Sequence, residues 1–370
     1  MNDPRAPRLG ADPRDVAARV AATVRPDVHA LTAYHVAKAD GLIKLDANES
    51  PYGLPEAIRR ELGAALATVP LNRYPDGAGD AVKAALRLAH GLPDEAGLVL
   101  GNGSDELLQV ITTAVTLPGA AIVAPDPTFV MYRLYANYAH ARYVGVPLTA
   151  DFALDVDAML AAVERERPAL VWLASPNNPT GTQFDPAAIE QIIRAAPGLV
   201  VVDEAYFAFA PYAFLPRALE FPNLVVVRTL SKIGMAGLRL GYAVGHRAWL
   251  DEIDKVRSPY NLNALTQAAA TLLLRHGPLF EQQARDVRVE RLRLIQALAR
   301  VPDVRVFDSA ANFFVARFRD APATFAALKA AGILVKNVHG WHPLLAHCLR
   351  ITVGTPAEND ALVAALETAA

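Results

Sequence analysis

Blocks of three to five apolar residues with almost no polar alternation recur through the middle of the chain, at 98–100, 121–124, 170–174, 199–202 and 224–227. Such runs suit strands buried on both faces. Between them the pattern turns helical, with helices expected from Ser104, near Thr128 and near Pro186. Strands that alternate with helices predict a mostly parallel sheet covered on both sides, an α/β fold. Upstream, 42–45 reads as a short strand and 55–69 as a helix with Pro55 at its start, followed by a Pro/Asn/Arg loop over 70–79. Downstream the character changes. Residues 263–299 read as long helical stretches, 304–307, 313–316, 333–335 and 349–353 as short strands separated by a helix, and 356–369 as a closing helix. That pattern predicts a second, smaller α+β domain that takes in the N-terminal strand. The boundaries drawn on it are a flexible arm over 1–26, the N-terminal part of the small domain over 27–70, a large domain over 71–265 and the rest of the small domain over 266–370. No internal repeat is visible.

Length and composition narrow the class. A chain of 370 residues has room for one large and one small domain, and 53% hydrophobic with 20% charged residues describes a packed globule. A formal net charge of -2, with no basic tract interleaved with aromatics, argues against nucleic acid as a partner. The single cysteine, Cys348, excludes an internal disulfide and fits a reducing compartment. The first 26 residues lack the apolar core of a secretory signal, and no apolar run is long enough to span a bilayer. The expectation is a cytoplasmic protein with no membrane partner.

The chemistry centres on Lys232, in Arg228-Thr229-Leu230-Ser231-Lys232-Ile233-Gly234, after an apolar strand and a Thr-Leu-Ser turn and seven residues before Arg239. A desolvated lysine with a lowered pKa forms a Schiff base with an aldehyde, and an aldehyde cofactor carrying a phosphate would use Ser231 and Arg239. The strand at 199–202 ends in Asp203-Glu204-Ala205-Tyr206. In open α/β sheets ligands sit at the carboxyl ends of strands, which places Asp203 and Tyr206 toward one. A Walker B strand would look the same, but no lysine follows a glycine here as a P-loop requires; a solvated acid remains the plain alternative. Gly101-Asn102-Gly103-Ser104-Asp105-Glu106 opens a helix directly after a strand, a phosphate-cradle pattern in which Glu106 stands where a dinucleotide motif has its third glycine; Ser104 is equally explained as an N-cap. Ser175-Pro176-Asn177-Asn178-Pro179-Thr180-Gly181 is a rigid loop presenting Asn178, and Pro125-Asp126-Pro127-Thr128-Phe129 carries an aromatic that either stacks on a ring or joins the core. Arg350 lies inside an apolar strand and needs an anionic partner, from the protein or from a substrate. His339, His342 and His347 have no metal-site spacing, so no metal is expected.

Taken in order, these segments resemble the fold-type I pyridoxal-phosphate aminotransferases of class I/II, over nearly the whole chain beyond the arm. The resemblance implies an aspartate-aminotransferase-like large domain with a seven-stranded sheet and pyridoxal 5'-phosphate as cofactor. It makes Lys232 the Schiff-base lysine and proton shuttle, and Asp203 the partner of the pyridinium nitrogen. Asn178 and Tyr206 would bond the ring hydroxyl, and Phe129 would stack on the ring. Ser104, Asp105, Ser231 and Arg239 would hold the phosphate. Tyr74, in Asn72-Arg73-Tyr74-Pro75, is similar to a tyrosine that reaches the partner subunit's cofactor, implying a homodimer.

Within that family, Leu31-Thr32-Ala33-Tyr34, Leu45-Asp46-Ala47-Asn48-Glu49-Ser50-Pro51-Tyr52-Gly53, the Tyr74 loop, Arg228-Thr229-Leu230-Ser231-Lys232 and Cys348-Leu349-Arg350-Ile351-Thr352-Val353-Gly354-Thr355 resemble the histidinol-phosphate aminotransferases. That likeness implies transamination between glutamate and a phosphorylated imidazole ketone. Arg350 would bind the substrate anions, with Tyr34, Asn48, Tyr52 and Asn178 around the substrate. Lys336 stands where some relatives have a phosphate-binding arginine, offering a point charge without the arginine fork. Aromatic amino-acid aminotransfer and threonine-phosphate decarboxylation are the alternatives on the same scaffold, and a non-catalytic binder of a phosphorylated ligand is the alternative outside it.

Overall fold

The computed structural model describes residues 12–32 and 39–369. The chain divides into two compact units, 1–40 and 41–370. In the first, a helix spans Pro13–Thr23, opened by the Asp12 carboxylate, which accepts from the Arg14 N–H at 2.9 Å. None of its residues is buried. The arm expected over 1–26 therefore contains a helix; its Ala- and Arg-rich run has enough intrinsic propensity to form one. Tyr34 lies outside the described residues.

The second unit holds two sheets. In chain order the strands are β1 (Ile43–Leu45), β2 (Ala96–Asn102), β3 (Ala121–Asp126), β4 (Arg142–Pro147), β5 (Leu170–Ala174), β6 (Leu199–Asp203), β7 (Leu224–Thr229), β8 (Leu240–His246), β9 (Arg305–Val306), β10 (Phe313–Arg317), β11 (Ile333–Asn337) and β12 (Cys348–Thr352). The larger sheet has seven strands in the order β2-β8-β7-β6-β5-β3-β4. All run parallel except β8, which is antiparallel to both neighbours. Two of the seven, β4 and β8, escape the apolar-block pattern. Edge strand β4 is half-buried, and β8 is interrupted by Gly241 and Gly245, whose missing Cβ atoms leave room for the backbone around Ser104 and Leu224.

The unbroken apolar character of β6 and β7 has a direct cause. Val200, Val202 and Val226 face one buried cluster, with Ile189 and Ile192 of the helix Pro186–Ala195; Leu199, Val201, Val225 and Val227 face the other, with Trp172 and Tyr132. The five-stranded sheet has the order β1-β11-β12-β10-β9, and β1 pairs parallel with β11. The N-terminal strand thus joins the C-terminal ones as its pattern predicts. The long helical stretch is two helices, Ala264–Leu273 and Gly277–Leu298, separated by a 3-10 turn ahead of Pro278. Among the described residues no helix is long and apolar enough to cross a membrane.

Strand direction creates one chemically rich edge. The carboxyl ends of β2, β5, β6 and β7 meet the start of β8: Ala174 is in register with Asp203, Thr229 with Gly241, and Gly241 with Gly101. Just behind that edge Glu204 and Arg228 form a buried ion pair at 2.8 Å, with the guanidinium 4.0 Å above the Phe207 ring. Glu204 also accepts from the Phe214 N–H. Nearby, His90 is held neutral down to about pH 4, by burial first and then by the Arg228 charge.

Glu204→Gln leaves Arg228 as an uncompensated buried cation and is expected to cost ~3–5 kcal/mol in urea unfolding. The paired change Glu204→Leu with Arg228→Met removes both charges and should recover most of that loss. Equal loss in both variants would mean that packing, not charge, is what the pair supplies.

Candidate active site

Asp203 ends β6 with 4% of its surface exposed. Its Oδ1 accepts the Ala205 N–H at 3.0 Å and its Oδ2 the Tyr132 hydroxyl at 2.8 Å. Burial nevertheless pushes its pKa up to about 6, the two donors acting against that rise and the charges of Asp105 and Glu204 adding to it. Tyr132 is fully buried, its ring parallel to Trp172 at 5.0 Å and meeting Phe129 edge-on at 5.7 Å. Phe129 is half-buried, immediately before the helix Val130–Tyr138.

Lys232 sits in a single 3-10 turn, Ser231–Ile233, right after β7. Its Nζ donates to the Ala47 carbonyl at 3.3 Å and lies 5.9 Å from the Tyr206 ring centroid. Its side chain is half-buried, and desolvation first, and then the charge of Arg350, lower its pKa to about 8. This is the perturbation expected of an amine that works as nucleophile and base.

Tyr206 and Asn48 are brought together. The Asn48 amide donates to the Tyr206 hydroxyl at 3.0 Å, and the Asn48 N–H to Thr352 Oγ1 at 3.0 Å. Asn48 holds a left-handed φ of 56°, which asparagine tolerates, and Asn312 donates to its carbonyl at 3.0 Å. Arg350 is buried in β12, donating to Asn178 Oδ1 at 2.6 Å and to the Asp46 carbonyl at 2.7 Å, with its guanidinium 5.3 Å from the Phe313 ring. Asn178 is presented as its loop predicts. Its neighbour Asn177 ties that loop to the Phe129 loop, accepting from Thr128 Oγ1 at 2.7 Å and donating to the Pro127 carbonyl at 3.0 Å.

The glycine-rich turn, the 3-10 turn and Arg239 converge on a third patch. Gly103 takes φ 81° ahead of the helix Ser104–Val115, and a Cβ there would collide with the Arg239 guanidinium. A Cβ on Gly241 would collide with the Ser104 N–H. Arg239 donates to Ser231 Oγ at 3.4 Å and lies 3.5 Å from the Asp105 carboxylate; Thr229 Oγ1 donates to Ser231 Oγ at 2.9 Å. First-turn N–H groups, a hydroxyl pair and a guanidinium form an anion cradle. An aldehyde bearing a phosphate fits these residues: a tight anion site, a deprotonatable amine and a buried carboxylate share one sheet edge.

Two predicted residues stand apart. Tyr74 is 80% exposed and stacked on Tyr260 at 4.5 Å. Tyr52 is half-buried against the small-sheet cluster, its hydroxyl raised by burial and by Asp286, Glu290 and Glu358. His339 and His342 accept the backbone N–H groups of His347 and Leu344 through their Nδ1 atoms. Tyr132 and Thr352 were not singled out by pattern, although each has a signal. Tyr132 is one helical turn beyond Phe129, and Thr352 is two residues past Arg350 on the same strand face.

Comparison with known proteins agrees with this geometry. Residues 40–366 match the model of "Aminotransferase class I and II". A "Histidinol-phosphate aminotransferase" of Chromobacterium violaceum is 55% identical over 344 residues, 93% of this chain and 97% of that protein. "Histidinol-phosphate aminotransferase 1" of Burkholderia lata is 54% identical over 347 residues, 94% of this chain and 97% of that protein. The crystal structure of the Sinorhizobium meliloti histidinol-phosphate aminotransferase in complex with pyridoxal-5'-phosphate superposes with a TM-score of 0.84 at 27% identity, covering 94% of this chain and 97% of that one. With the amine, the carboxylate and the anion cradle on one sheet edge and the family pattern matched from residue 40 to 366, the chain belongs to the class I and II aminotransferases.

Proposed function

We propose that this protein binds pyridoxal 5'-phosphate at the edge of its large sheet. There it transfers an amino group between glutamate/2-oxoglutarate and imidazole-acetol phosphate/L-histidinol phosphate, a step of histidine biosynthesis. The observation that carries the cofactor reading is Lys232, an amine half-neutral near pH 8 on the edge that also holds Asp203 and the anion cradle. The relatives more than half identical over 93–94% of the chain carry the substrate reading.

When bound, the cofactor supplies an aldehyde that captures amines and a ring that takes up the electron pair of the broken Cα–H bond. The chain supplies the rest. Ser104 and Asp105 would hold the phosphate through first-turn groups of their helix, together with Ser231 and Arg239. Asp203 would accept a hydrogen bond from the protonated ring nitrogen, Tyr206 and Asn178 would bond the ring hydroxyl, and Phe129 would cover the ring. Lys232 Nζ takes the substrate α-proton as the free amine and returns it as the ammonium, a shuttle that a pKa of about 8 favours in both directions. Arg350 binds the α-carboxylate of glutamate in one half-reaction and the phosphate in the other. Lys336 is directly opposite Arg350 in the β11–β12 register, so both side chains lie on one face and add a second cation for the phosphate. Asn48 and Tyr52 would line the substrate.

The exposed, stacked Tyr74 supports a homodimer in which it reaches the other subunit's cofactor. Within 41–370, segment 71–265 would be the cofactor domain, and 41–70 with 266–370 the small one. The single buried cysteine fits a cytoplasmic setting.

Purified, cofactor-loaded protein should turn over histidinol phosphate with a kcat/KM well above that for phenylalanine, and release no carbon dioxide from threonine phosphate. Lys232→Ala should lower kcat by ~10²–10⁴-fold or more and abolish borohydride trapping of the cofactor on the 232 peptide. Normal turnover by that variant would sink the scheme. In cofactor-free protein, modification of Lys232 by trinitrobenzenesulfonate should rise through a midpoint near pH 8, because burial and Arg350 disfavour the ammonium form. A midpoint at the ordinary lysine value would remove the basis for the shuttle. Lys336→Ala should lower kcat/KM for histidinol phosphate by ~10–100-fold, as for loss of a charge-assisted contact, and leave the glutamate half-reaction within about twofold.

A further inference from the structure

We propose that Tyr132 is a positioning residue: its hydrogen bond to Asp203 decides whether the proton shared between that carboxylate and the cofactor's ring nitrogen rests on the nitrogen. The inference rests on the pyridoxal phosphate reading above.

The geometry gives Tyr132 one role. Its ring is wholly buried, laid flat against Trp172 with an interplanar angle of 4° and edge-on to Phe129. Those contacts fix the direction of the hydroxyl, which sits 2.8 Å from Asp203 Oδ2. The other carboxylate oxygen is occupied by the Ala205 N–H at 3.0 Å. Both donors favour the ionised carboxylate. What opposes them is burial first, with the negative charges of Asp105 and Glu204 adding to it; Tyr132 is the largest influence on the ionised side. The phenol itself is pushed well above its ordinary range by burial and by Asp203, so it stays a donor throughout the working pH range.

A carboxylate and a pyridine nitrogen that share a proton divide it according to their relative basicity. With the Tyr132 donor present, Asp203 is the weaker base and the ring nitrogen keeps the proton, which lets the ring draw charge. Without it, Asp203 becomes more basic and the proton moves to the carboxylate. The ring then draws less charge, although every group that touches the cofactor is still in place.

Protein loaded with pyridoxal phosphate carrying nitrogen-15 in the ring tests this by NMR, because the nitrogen resonance separates protonated from unprotonated pyridine. Wild type should show the protonated position at neutral pH. In Tyr132→Phe the resonance should move toward the unprotonated position, and its titration midpoint should fall by about one pH unit, the size of a single hydrogen bond to a charged group. Tyr132→His, which restores a donor, should recover part of the shift. An unmoved resonance in folded, loaded Tyr132→Phe overturns the proposal. A His variant indistinguishable from the Phe variant also overturns it, since it would trace the effect to packing. If Tyr132→Phe does not fold or load, 3,5-difluorotyrosine placed at position 132 keeps the ring and strengthens the donor. The midpoint should then rise, and an unmoved midpoint overturns the proposal. Failure of wild type to take up the label on Lys232 would instead sink the cofactor reading, and this inference with it.

Discussion

Removing the Asp203 carboxylate from water is the constraint around which the site is organised. An ion of that size buried without partners costs several kcal/mol even after the protein relaxes. The fold offsets this with an N–H two residues on and a hydroxyl delivered by the helix Val130–Tyr138. The offset is incomplete, and the group is left with a pKa near 6. A carboxylate held in that state is primed for a cationic partner. That is the property an electron-drawing ring nitrogen requires, and it is stored in the protein before any ligand arrives.

The same logic acts with the opposite sign at Lys232. Burial and the charge of Arg350 both disfavour the ammonium, so the amine is available near neutral pH. Arg350 therefore has two effects. It lowers the lysine pKa across the site, and its guanidinium ties Asn178 Oδ1 to the Asp46 carbonyl. The residues that couple these groups come from both sheets. Asn48 joins the Tyr206 hydroxyl to Thr352 of β12, and Lys232 reaches the carbonyl of Ala47, next in the chain. Residues at the edges of the large and the small sheet thus share hydrogen bonds, so a shift of one sheet against the other would register at the lysine.

Legibility in the sequence followed local chemistry. Lys232, Asp203, the Gly101–Ser104 turn and Asn178 stand at ends of apolar strands or in turns fixed by Gly and Pro. Their spacing alone reveals that they are presented, although not to one another. Arg350 is legible because a guanidinium inside an apolar strand demands an explanation. The strands β4 and β8 were hidden. One is a half-buried edge, and the other gives up its side chains at Gly241 and Gly245 so that neighbouring backbone can approach. The helix within 13–23 was hidden by a composition that also suits a loose arm.

By itself the sequence determined the α/β class and the joining of an N-terminal strand to the C-terminal sheet, and it singled out an amine, an acid and a glycine-rich turn as candidates for the site. These follow from periodicity, turn chemistry and charge, which act over a few residues. Only the tertiary structure decided what those groups feel. The bond from Tyr132 to Asp203 spans 71 positions, that from Asn48 to Tyr206 158, and that from Arg350 to Asn178 172. Desolvation depends on which distant side chains exclude water from a given atom. No local pattern carries that information, because it exists only once the sheet has closed.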